Sequence, residues 1–143
     1  MRPTLLLVPI LLSGCDFAYP EVVVVNDTSA HVQIRNVSFN GCVWDTVIVY
    51  GDATSPGRCL VGEDRVHFKK FDAAAYMNDL PHAIDGASAC GTGSEPNVGC
   101  AIPSWFNYQT RSAFRVGYGE FRLIGITLSD IEQDFSVPGP YGH

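Results

Sequence analysis

The chain has 143 residues, enough for one domain and not for two. Nine basic residues stand against fifteen acids, giving a formal charge of −6, and the basic ones are scattered. That pattern excludes the dense positive surface by which proteins hold nucleic acid or adhere electrostatically to anionic lipid.

The chain begins with Arg2, then an apolar run from Leu5 to Leu12 interrupted by Pro9, then the small residues Ser13 and Gly14. This is the three-part layout of an export signal. The run is far too short for a transmembrane helix. The stretch Leu11-Leu12-Ser13-Gly14-Cys15 resembles a bacterial lipobox. The resemblance implies removal of residues 1–14 as a lipoprotein signal peptide and acylation of Cys15, with palmitate among the acyl chains. It places the remainder in the bacterial cell envelope, anchored to a membrane by lipid. Asp16 resembles the inner-membrane retention signal of enteric bacteria. Other lineages sort differently, so inner and outer membrane both stay open. Loss of Arg2 leaves eight basic residues against fifteen acids, a formal charge of −7.

Four cysteines remain once Cys15 carries lipid: Cys42, Cys59, Cys90 and Cys100. An even number in an exported domain points to two disulfides. Of the three pairings, Cys42–Cys59 and Cys90–Cys100 each close a short loop rich in turn-forming residues. No close CxxC pair is present, which argues against a structural zinc site or a redox motif.

Residues 15–20 make a lipidated cysteine and short tether. Residues 21–136 form a single β-rich domain, and residues 137–143 a flexible C-terminal tail. Val22 to Val25 reads as a first strand, ended by Asn26-Asp27. His31 to Phe39 is a second, with a bulge or turn near Asn36 where its alternation breaks. Asn40-Gly41 favours a tight hairpin, because both residues tolerate positive φ. Val43 to Tyr50 is apolar on both faces, which predicts a strand that is central or covered on each side. Gly51 to Gly62 is a loop that Cys59 ties to Cys42. Arg65 to Phe71 alternates, with Val66 and Phe68 on one face and Arg65, His67 and Lys69 on the other. Asp72 caps a short helix over the following alanines, and Pro81 bounds it.

Asp85 to Pro103 is irregular. Ser104 to Thr110 is a strand carrying Trp105, Phe106 and Tyr108, with Trp105 opposite in parity to the other two. Ala113 to Leu128 holds two strands, and Gly119 marks a bend. Asp130 to Asp134 reads as an acidic turn. The prolines and glycine of residues 137–140 cannot continue regular structure. Many short strands and one helix give an all-β fold: a disulfide-stabilised β-sandwich or partly open barrel with one short helix.

No catalytic signature, phosphate-binding loop or calcium loop is present. No catalytic residue, metal ligand or cofactor is assigned. His31, His67 and His82 are read as surface histidines rather than metal ligands, because Arg65 and Lys69 flank His67 and oppose a cation. His143 is terminal. Arg111, Arg115 and Arg122 are read as surface ion-pair partners. Trp105, Phe106 and Tyr108 are the candidate binding surface. The function expected is a non-catalytic binding module for an envelope protein or cell-wall component. The alternatives are a structural envelope lipoprotein without specific ligand, an unrecognised hydrolase, or a metal-binding protein.

Overall fold

A computed structural model describes residues 18–78 and 105–142. The signal segment, Cys15, the 85–103 stretch with its expected Cys90–Cys100 bridge, His82 and His143 lie outside the described residues. The described strands are β1 (Glu21–Asn26), β2 (Val32–Phe39), β3 (Cys42–Trp44), β4 (Gly57–Arg58), β5 (Gly62–Asp64), β6 (His67–Asp72), β7 (Phe106–Thr110), β8 (Phe114–Val116), β9 (Phe121–Ile126) and β10 (Ile131–Gln133). A helix, α1, spans 73–78, and a 3-10 turn spans Leu128–Asp130.

The strands form a three-stranded sheet, β4-β1-β9, a five-stranded sheet, β10-β7-β6-β2-β3, and a two-stranded ribbon, β5-β8. The sheets do not close into a barrel. The arrangement is a β-sandwich-like all-β fold whose core lies between the sheets. Val22 and Val24 of β1 and Ile124 and Ile126 of β9 supply one side. Val32, Ile34, Val37 and Phe39 of β2 and Phe68 of β6 supply the other. Each such side chain, when fully buried, contributes roughly 1.5–3 kcal/mol.

Local sequence explains several joints. Asn36 (φ 50°) sits in the left-handed region that Asn tolerates, and β2 slips there against β6. Four residues of β2, from Arg35 to Ser38, are matched by three of β6, from Lys69 to His67, which is a bulge. Asn40 (φ 41°) and Gly41 (φ 79°) make the β2–β3 hairpin turn. Asp72 accepts hydrogen bonds from the Ala74 and Ala75 amides and caps α1. The Cys42–Cys59 disulfide is present, tying β3 to the loop that follows β4. Gly57 sits under the Trp44 ring, where a Cβ would come within 2.6 Å of it.

Asn26 ends β1 as a buried staple. Its amide nitrogen donates to the Val32 and Ile48 carbonyls at 3.0 and 2.9 Å. Its oxygen accepts from the Thr28 amide and hydroxyl. All its donor and acceptor capacity is used, as a fully buried amide requires.

Two expectations need correction. The Val43 to Tyr50 segment is not a central strand. Only Cys42–Trp44 pairs with β2, at the sheet edge, and Ile48 rejoins by a single bridge to Ile34. Trp44 and Ile48 are buried, while Val43, Val47 and Val49 are exposed. Valine fits a pleated surface whether or not that surface is covered, so the pattern over-predicted burial. The acidic turn at 130–134 contains β10, whose Ile131 is buried and which pairs with β7. Residues 137–142 run beside β7. There the Asn107 side chain donates to the Pro138 carbonyl, the Tyr108 hydroxyl to the Gly142 carbonyl, and Gln133 to the same carbonyl.

Candidate functional site

The bulge at Asn36 bends β2 on the face of the five-stranded sheet turned away from the core. Register there sets Ser38 opposite His67, and His67 opposite Gln109. Beyond β10 the chain turns, and Asp134 comes back over the same face with its amide bonded to the Asn107 carbonyl. Between these elements lies a cleft of about 290 Å³ lined by Asn36, Ser38, His67, Lys69, Asn107, Asp134 and Ser136, with Phe68 and Val137 as its apolar wall.

His67 and Asp134 are the centre of this cleft. Asp134 is only 2% exposed, and its Oδ2 lies 2.7 Å from His67 Nδ1. Its Oδ1 accepts from the Ser136 amide at 2.9 Å and from the Ser136 hydroxyl. Burial pushes the Asp134 carboxyl up, but the Ser136 hydroxyl, the His67 ring and the Ser136 amide outweigh it and hold the group below its ordinary value. An ionised carboxylate only accepts, so Nδ1 carries the proton. Nε2 lies 3.9 Å from Asp64 Oδ1. Lys69 adds a positive charge beside the ring. Arg65, at the neighbouring position, is engaged by Glu132 at 2.8 Å.

The cleft makes oriented polar contacts available: a fixed imidazole, an ammonium, two hydroxyls and two side-chain amides, all on strands or on a turn tied to one. That is the composition of a site for a polar ligand. Ser38, His67 and Asp134 also follow the order of a nucleophile, base and orienting acid. Among the described residues, however, no hydrogen bond joins Ser38 to His67, and acyl transfer requires that contact.

Trp105, Phe106 and Tyr108 are not brought to one surface. Strand alternation sends Phe106 and Tyr108 inward, Phe106 half-buried against the core and Tyr108 buried beneath the Lys70 ammonium, 4.3 Å from its ring centre. Of the three, Trp105 is the one left on the outer face. Trp105 lies on the cleft's face of the sheet, half-buried, with the Arg35 guanidinium 4.2 Å over its ring and Phe71 at 5.7 Å. Tyr76 of α1 continues the group through Phe71.

His31 sits at the exposed start of β2, next to the far end of β6 from His67, where its carbonyl accepts from Ala73. Among the described residues, no three of His, Cys, Asp and Glu are placed to hold a metal ion. Arg111, Arg115 and Arg122 lie 3.6–3.8 Å from Glu132, Glu63 and Glu120 in solvent-exposed pairs.

The His67–Asp134 pair was not found from sequence, because its members are 67 residues apart. The one local signal is Asp134-Phe135-Ser136, an Asx-turn pattern in which the acid accepts from the amide two residues on. That pattern predicts a turn but not the histidine it holds. No protein-family model, curated protein or solved structure matches this chain.

Proposed function

We propose that the chain is an envelope lipoprotein, acylated at Cys15, whose β domain is a non-catalytic binding module for a protein or cell-wall component. The observation that carries the binding reading is the burial of an ionised Asp134 to hold His67 in one orientation beside a polar cleft. Fixing a histidine in this way lowers the ordering needed when a ligand arrives. Trp105 with its Arg35 partner gives the same face an aromatic and cationic border, the residue types that dominate binding energy at interfaces. The Cys42–Cys59 bridge accords with an exported domain. The lipobox-like stretch supports the anchor.

Intact mass of the protein from native membranes tests the anchor. A diacylglyceryl-modified species lacking residues 1–14 is expected, and an N-terminus at Met1 or beyond Cys15 refutes it. Co-sedimentation with purified peptidoglycan, together with crosslinking in native envelopes, tests the binding face. His67→Ala and Trp105→Ala, checked for folding, are expected to lose recovery. Recovery equal to wild type for both removes this face as the site. Turnover of an envelope ester or amide that Ser38→Ala abolishes replaces the binding reading with a hydrolase.

A further inference from the structure

The chain enters the described domain at Ala18, and four segments are stitched together around that entry. The Ala18 carbonyl accepts from the Gly119 amide, and the Pro20 carbonyl from the Cys59 amide. The Glu21 amide donates to the Glu120 carbonyl, and the Leu60 amide to the Asn40 carbonyl. These bonds bring residues 18–21, the stretch after β4, and the β8–β9 turn to one end of the sandwich. That end displays Tyr19, Leu60, Tyr118, Phe121 and Leu123, each more than half exposed, with Val61 beside them. The Tyr19 and Tyr118 rings lie 6.3 Å apart. Large apolar groups gathered in this way mark a contact surface.

We propose that this apolar collar rests in the headgroup layer of the bilayer that holds the Cys15 acyl chains. The inference depends on the lipid anchor proposed above. Reach provides the argument. Two residues, Asp16 and Phe17, stand between Cys15 and Ala18, and three steps of extended chain at about 3.3–3.6 Å each keep the entry point within about 11 Å of the acylated cysteine. The polar layer on each side of a bilayer's hydrocarbon core is about 5–8 Å thick. A domain tethered this closely by one end brings that end against the headgroups. Tyrosine, with an apolar body and a polar tip, is enriched at that depth. Charge does not oppose the contact. Glu21 lies opposite Arg58 in register and Arg122 lies 3.8 Å from Glu120, so these two acids of the collar each have a basic neighbour.

The test uses the full acylated protein, with its lipid confirmed by intact mass, in vesicles of phosphatidylethanolamine and phosphatidylglycerol with brominated acyl chains. Phe121→Trp places a reporter in the collar. Leu128→Trp places one on an exposed residue beyond the opposite end of β9. Unfolding curves matching wild type confirm both folds. Because Trp44 and Trp105 also emit, each variant is read as its difference from wild type; the expected result is added emission at position 121 that is blue-shifted in vesicles and quenched severalfold more than that at 128. Equal quenching at the two positions, with the lipid in place, overturns the collar and leaves the anchor standing. A blue shift at 121 before vesicles are added shows that another part of the chain or a second copy covers the collar, and overturns it too. Absence of lipid on Cys15 removes the anchor and the collar together.

Discussion

Replacing Asp134 with asparagine isolates the charge that holds His67. The shape is kept, but an amide group now meets either the His67 Nδ1 proton or the Ser136 donors that the carboxylate accepted. Hydrogen bonds to a charged group contribute roughly 1.5–3 kcal/mol and neutral ones roughly 1, so weakening the His67 and Ser136 bonds should cost about 2 kcal/mol at neutral pH. The pH dependence has a definite sign. The folded-state pKa of Asp134 is depressed, so its stabilisation is fully present above the unfolded carboxylate value of about 3.9. It is lost as pH falls from there through the folded value. Urea unfolding of wild type and Asp134→Asn should differ by about 2 kcal/mol near pH 7 and converge below about pH 4. Other carboxylates titrate in both proteins and cancel in the difference. Equal stability near neutrality, or a difference that persists undiminished into strong acid, refutes the account of this pair.

Two further outcomes test the scaffold. Changing Cys42 and Cys59 together to serine opens a loop whose ends are 17 residues apart, and should lower stability by about 3 kcal/mol, read from the urea midpoint without reductant. A loss under about 1 kcal/mol would show that the surrounding strands already restrict the unfolded chain. Asn26→Ala removes the staple between the end of β1, Val32 and Ile48, and should cost about 2–4 kcal/mol in the same assay. Its effect should not vary between neutral and mildly acidic pH, since no charge is involved.

What was legible in the sequence was local. Asn36 announced its bulge by breaking an alternation, Asn40-Gly41 its turn by tolerance of positive φ, and Asp72 its cap by position. The Cys42–Cys59 bridge followed from loop length. What was not legible joins distant segments. β1 lies parallel to β9 across roughly a hundred residues of sequence, and neither strand names its partner. β10 is three residues long and was hidden by the acids around Ile131. The His67–Asp134 pair fell between these limits: the Asp134 turn is local, but the histidine it holds depends on how β10, β7 and β6 line up.

The cleft and the collar constrain each other through β2. Ser38, which faces the cleft, is two residues before Asn40, whose carbonyl binds the Leu60 amide at the tether end. Asp64, near His67 Nε2, also accepts from the Asn40 amide. Trp105 and Arg35 lie toward the other end of the same face, beyond Lys69. On the seating proposed above, and at about 3.4 Å per residue along a strand, Ser38 and the His67 opposite it sit roughly 7 Å above Asn40, and Trp105 higher still. A domain seated on its collar therefore presents the cleft close to the headgroups and opening sideways. Such a site admits a ligand that lies along the membrane surface more readily than one that must descend from above. The Trp105 border is the part placed to meet a component standing farther off. Loss of recovery confined to His67→Ala, with Trp105→Ala unaffected, would place the ligand near the membrane. The reverse pattern would place it at the outer border and leave the cleft without a role in capture.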